Sequence, residues 1–150
     1  MPSKSESRFL PYTADFIYDI VADVERYPEF VPWCEGLRVL RREPAPFGEV
    51  IWAETLIGYK SLRERYISRV ELDPGNRRVD VNQTEGPFRQ LENHWRFTPA
   101  DGGARVDFSI AFEFRSRLLG HIAGAALALV MGRMTDAFEA RARVLSEKAK

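Results

Sequence analysis

The chain has 150 residues, 45% of them apolar and 29% charged, with Lys plus Arg balancing Asp plus Glu at 22 each. That length suits one domain, expected over residues 1–150, with a core burying roughly 70% of the unfolded surface. Zero formal charge argues against broad nucleic-acid binding, which leaves a basic excess.

"SRFLPY" (7–12) predicts a short first strand ending at Pro11. "TADFIYDIVADVERY" (13–27) predicts a helix, with Thr13 as N-cap, Asp15 in the first turn, and Phe16, Ile17, Ile20, Val21 and Val24 at helical spacing. The helix stops at "YPEFVPWC" (27–34), where two prolines forbid regular structure and predict an irregular elbow carrying large rings. Tyr27, Phe30 and Trp33 there either seal the end of a core or, with Val31 and Pro32, wall a cavity.

Strands are predicted over 36–43, 49–59, 61–72, 77–84, 90–99 and 104–114, separated by turn-forming runs such as Asp73-Pro74-Gly75-Asn76. "ARVDFSIAFEF" (104–114) is the clearest: Val106, Phe108, Ile110, Phe112 and Phe114 alternate with polar residues, the mark of a half-buried strand. The short turns imply an antiparallel meander. A long helix is predicted over about Arg117 to Glu147, its apolar stripe including Leu119, Ile122, Ala126, Val130 and Met134. The apolar run Ile122–Met131 has only ten residues, against about 20 for a membrane span. The order predicts an α+β fold, a sheet of about seven strands against a long helix. Large rings facing small helix residues (Gly120, Ala123, Gly124, Ala125) leave room for an apolar pocket, which commonly measures about 300–1,000 Å³.

Several polar positions bear on chemistry. Alternation in "SLRERYISRVEL" puts Leu62, Glu64, Tyr66, Ser68, Val70 and Leu72 on one face. If that face meets the helix, Glu64 is costly as a lone charge and must be protonated, ion-paired or hydrogen-bonded to a ligand. Leu91, Asn93, Trp95 and Phe97 share an interior face with Phe108 and Phe112, which leaves Asn93 needing a partner. The turn "GPFR" puts Phe88 at a loop tip, where it gates a cavity, touches a membrane or tucks back onto the core. Cys34 with His94 invites a thiol-hydrolase reading, but no local signature supports it and His94 faces away from the interior. His121 is expected to pack on the long helix. One cysteine and two histidines so far apart give no support to a metal site, and the single cysteine excludes an internal disulfide. With no apolar leader in "MPSKSESRFLPY", a reducing, cytoplasmic setting is expected. Lys60, Arg63, Arg65, Arg69, Arg77 and Arg78 form a basic cluster suited to a solvated face, anionic lipid or RNA phosphate.

Four stretches carry a resemblance: "LPYTADFIYDIVADVERYPEFVPWC" (10–34), "LRERY" (62–66), "EGPFRQLENHWRF" (85–97), and "FEFRSRLL" (112–119) with "FEARA" (138–142). On these the chain resembles the bacterial relatives of the coenzyme Q-binding proteins, within the START-like, or polyketide cyclase/dehydrase-like, superfamily. The resemblance implies a helix-grip fold, a curved antiparallel sheet wrapped around the long C-terminal helix and enclosing a lipid-sized tunnel. It implies ubiquinone or a similar isoprenoid quinone as bound ligand rather than catalytic cofactor, in support of respiratory electron transfer. The expected ligand-binding residues are Val31, Trp33, Leu62, Glu64, Tyr66, Phe88, Asn93, Trp95, Phe97, Phe108, Phe112, Leu119, Ile122, Ala126, Val130 and Met134, with no catalytic residue. The same family contains ribosome-association toxins, so a ribosome-binding reading stays open, as does a cyclase-type enzyme and transient contact with the inner membrane. Oligomeric state is not legible.

Overall fold

The computed structural model describes residues 3–59 and 62–148; within them, the side chains of residues 59, 62, 119, 120 and 122–131 lie outside the description. The chain runs β1 (Ser3–Leu10), α1 (Ala14–Ala22), a 3₁₀ turn (Val24–Glu29), β2 (Cys34–Ala45), β3 (Gly48–Tyr59), β4 (Leu62–Asp73), β5 (Arg78–Glu85), β6 (Phe88–Ala100), β7 (Gly103–Phe114) and α2 (Arg117–Lys148). The strands form one antiparallel sheet in the order β1-β7-β6-β5-β4-β3-β2. The expected α+β architecture, a curved antiparallel sheet against a long C-terminal helix, is what the chain adopts.

The sheet is sided as strand alternation requires. Val106, Phe108, Ile110, Phe112 and Phe114 of β7 are all buried, as are Leu91, Trp95 and Phe97 of β6. The inner face meets α1 and the second half of α2. Thr13 caps α1 by accepting from the Phe16 amide at 3.2 Å. Tyr18 then packs edge-on against Phe97 with centroids 6.0 Å apart, and Phe138 of α2 meets Trp95 at 4.9 Å.

The predicted helix over 13–27 divides. α1 ends at Ala22, and the chain tightens into the 3₁₀ turn with Pro28 inside it. Proline has no amide to donate four residues back and its ring crowds that carbonyl, so an α-helix does not continue through it. β1 also differs from its prediction: it begins at Ser3, and its first residues pair with Ala111, Ile110 and Ser109 of β7.

The outer face holds a charged network centred on Asp80 of β5, which is 5% exposed. Its carboxylate meets His94 Nδ1, accepts from Arg96 Nη1 at 2.9 Å, and pairs with Arg78, which also donates to Asp73 at 3.3 Å. Burial works to raise the Asp80 carboxyl, but the hydrogen bonds from His94, Arg96 and Arg78 outweigh it and hold it below the ordinary carboxylate range.

Candidate functional site: a cavity behind the proline elbow

The elbow is clamped down by its own rings. Tyr27 and Phe30 pack edge-on against Phe138, with centroids at 5.3 and 5.1 Å, and against each other at 6.0 Å. The Tyr27 hydroxyl donates to the Val21 carbonyl, and burial holds this phenol far above its ordinary value. Arg141 of α2 lies over Phe30 at 5.1 Å and donates to Glu29 at 3.3 Å. These contacts fix the elbow against the far end of α2, so Val31 and Pro32 face a cavity between helix and sheet.

The cavity measures about 100 Å³. Val24, Tyr27, Val31 and Pro32 close one side, and Met134 and Phe138 come from α2. The sheet supplies Cys34 and Leu37 from β2; Ala53, Thr55 and Ile57 from β3; Tyr66, Ser68 and Val70 from β4; Val81 from β5; and Asn93 and Trp95 from β6. The wall is mainly apolar, with a few hydroxyl, thiol and amide groups. Its volume is below the roughly 300–1,000 Å³ common for drug-sized ligands. It approaches the engineered cavity of about 150 Å³ that holds one benzene ring.

The polar groups in the wall are poor acids. Burial pushes the Tyr66 phenol up to about 12, against a smaller opposing effect of the Thr55 hydroxyl. Burial likewise pushes the Cys34 thiol up to about 11, against a smaller opposing effect of the Gly36 carbonyl, 3.8 Å from its sulfur. Ser68 is 3% exposed, and its Oγ has no hydrogen-bond partner among the described residues.

Of the residues expected at the site, Val31, Tyr66, Asn93, Trp95 and Met134 come together in this wall. Trp33, Glu64, Phe97, Phe108 and Phe112 are not part of it. Trp33 sits in the turn before β2 with φ of 66°, its carbonyl accepting from Gly58. Glu64, at the Ile57 register on β4, is half-exposed rather than sunk among apolar groups. Phe97 and Phe108 pack around Trp95 at 6.1 and 4.3 Å, and Phe112 lies against Phe88 at 6.1 Å, so these rings form the core beneath the wall.

Phe88 is not at a loop tip. It opens β6, is 5% exposed, and packs on Tyr66 and Phe114. The Gln83 carboxamide accepts from the Phe88 amide at 3.0 Å and donates to its carbonyl at 2.8 Å, which shortens the turn and draws the ring inward. Gly86 makes this possible. A Cβ there would lie 2.5 Å from Gln83 Oε1 and 2.6 Å from Tyr66 Cβ. The side chains of Leu62, Leu119, Ile122, Ala126 and Val130 lie outside the described residues.

Thr55, Ser68 and Ala53 were not singled out for the site from sequence. The alternation of Ile51, Ala53 and Thr55 against Trp52, Glu54 and Leu56 would have shown which face of β3 turns inward.

His94 faces the outer side, toward Asp80 and not Cys34. The described members of the basic cluster are compensated: Arg63 pairs with Glu35 at 3.1 Å, Arg65 with Glu54 at 2.6 Å, Arg69 with Glu71, Arg77 with Asp15 at 2.7 Å, and Arg78 as above. Lys60 lies outside the described residues. Among the described residues, no group of three His, Cys, Asp or Glu could hold a metal ion, and no helix is long and apolar enough to cross a membrane.

A meander sheet gripping a long C-terminal helix, with a cavity between them, defines a START-like helix-grip domain. Residues 10–139 match the family of polyketide cyclase/dehydrase and lipid transport proteins, and the chain belongs to that family. It is similar to the ribosome association toxin RatA of Rickettsia prowazekii, at 32% identity over 146 residues, covering 95% of this chain and 97% of that protein. It is also similar to the mitochondrial coenzyme Q-binding protein COQ10 homolog B of Xenopus laevis, at 37% identity over 142 residues. That match covers 92% of this chain but 57% of the relative. Among solved structures, the Zhui aromatase/cyclase of Streptomyces sp. R1128 superposes with a TM-score of 0.81 at 17% identity, covering 95% of this chain and 93% of that one, a likeness of fold.

Proposed function

We propose that the chain binds ubiquinone or a similar isoprenoid lipid in this cavity and acts as a lipid carrier or chaperone in support of respiratory electron transfer, without a catalytic step. The observation that carries the reading is the cavity itself, apolar, set between sheet and helix, and closed by the elbow. A relative named for coenzyme Q binding supports the ligand class. General acid–base work needs a group that titrates near the working pH. The wall's phenol at about 12 and thiol at about 11 do not supply one, which favours binding over cyclase chemistry. At about 100 Å³ the cavity is smaller than a whole isoprenoid quinone, so this reading places only part of the ligand inside it. A cytoplasmic location, with transient contact at the inner membrane to exchange ligand, belongs to the same proposal.

The test is mass spectrometry of lipids that co-purify with the protein from a ubiquinone-producing host. Stoichiometric quinone on the wild type, lost in Ala53→Ile, supports the reading. Trp95→Ala is a weaker control because Trp95 belongs to the core as well as the wall. The alternative, a ribosome-binding toxin that blocks subunit association, is supported by the relative of that name, which matches over nearly its whole length. Absence of quinone together with co-sedimentation with ribosomal subunits would replace the lipid reading with it.

A further inference from the structure

Resting on the lipid-binding reading, we propose that Ser68 is the hydrogen-bond anchor for an oxygen on the ligand's ring, so that the ligand binds head-first against β4. The hydroxyl is buried, lines the cavity, and has no hydrogen-bond partner among the described residues. A buried hydroxyl without a partner is disfavoured enough that most such groups in folded proteins are paired. Here the open side is the cavity, so the partner belongs to whatever fills it.

Neighbouring side chains that could reach Ser68 are committed elsewhere or apolar. The β4–β5 register shifts between Ile67 and Ser68, so Glu85 pairs with the first and Gln83 with the second. Thr84, the residue skipped, donates its hydroxyl to the Ile67 carbonyl at 3.2 Å. The extra residue lies on β5, and β4 keeps an unbroken register with β3 through Ser68. Gln83 has its carboxamide committed to the Phe88 backbone. Ala53, opposite Ser68 on β3, has no polar atom in its side chain to offer.

The chemical class follows. A pure hydrocarbon leaves the hydroxyl as it is, whereas a carbonyl or hydroxyl on a ring satisfies it. Asn93 lines the same cavity and faces it with a carboxamide that a second ring oxygen could meet, while the Thr55 hydroxyl is already engaged with the Tyr66 phenol.

The test compares Ser68→Ala with wild type for two probes, a ubiquinone carrying one isoprene unit and an alkylbenzene of similar size with no oxygen. Binding is read by calorimetry and the melting temperature is followed without ligand. The expected result is an affinity for the quinone lowered about tenfold, the worth of one hydrogen bond, with alkylbenzene affinity unchanged. The unliganded variant should melt at or above the wild-type temperature, because an unsatisfied group has been removed. Equal loss for both probes with a lower melting temperature would make Ser68 a packing residue and overturn the proposal. Unchanged affinity for both would show the hydroxyl to be satisfied by water, and would overturn it too. If wild type binds neither probe, the lipid-binding reading itself fails and the anchor falls with it.

Discussion

Filling the cavity should stabilise the protein while removing its binding capacity, and Ala53→Ile is the substitution that does so. Ala53 is 2% exposed on β3, its side chain turned into the cavity beside Ser68. A cavity lowers stability by about 24 cal/mol per Å³, so about 100 Å³ corresponds to about 2.4 kcal/mol. Three added carbons, at about 0.8 kcal/mol each when buried, recover a similar amount, less about 0.5–1 kcal/mol of side-chain entropy. The net expectation is about 1.5 kcal/mol of stabilisation, which for a chain of this length raises the melting temperature by about 3–6 °C. A β-branched side chain also suits the strand. Urea unfolding gives the free energy, and lipid extraction from the same preparation gives the occupancy. Destabilisation together with undiminished quinone would mean that the space beside Ala53 is not the ligand's space, and would refute the reasoning.

Asp80→Asn should lower stability by about 1–3 kcal/mol at neutral pH, because it leaves His94, Arg96 and Arg78 facing a neutral group. The native Asp80 carboxyl is held low, so its contribution is present above the unfolded value near 4 and fades as pH falls through the lower native value. The difference between wild type and variant should therefore close below about pH 4, which urea melts at several pH values would read. Cys34, raised to about 11, should react with iodoacetamide at pH 8 far more slowly than a free thiol and reach ordinary rates only on unfolding. Trp95→Ala should cost about 3–5 kcal/mol in chemical denaturation, since its ring packs on Phe108 and Phe138.

The sidedness of the sheet was the most legible part of the sequence, because in β7 every second residue is large and apolar. The start of β1 is illegible for the opposite reason. Ser3–Arg8 is polar on both faces, and its pairing is set by β7, about a hundred positions away. The over-long helix and the misplaced Phe88 share a cause of a different kind. Where a helix hands over to a tighter turn, and how many residues a Gly-Pro corner spans, depend on single contacts such as Gln83 with the Phe88 backbone. Those contacts exist only once β5 and β6 are side by side. At the site, Tyr66, Asn93 and Trp95 were legible because alternation placed them inward. The rings of Phe97, Phe108 and Phe112 obey the same alternation yet lie in the core. Period two identifies a face and cannot say where along that face the helix stands away from it.

The order of the sheet has a consequence for how the chain is made. β1 is synthesised well before β7, the strand it pairs with among the described residues. For roughly a hundred residues of translation, at about 5–20 residues per second, β1 has an unpaired backbone, the situation that invites association with another nascent chain. "SKSESR" carries two positive charges, one negative charge and no large apolar side chain. The composition that conceals this strand in the sequence thus keeps it hydrated while it waits, and the sheet acquires that edge as one of the last acts of folding.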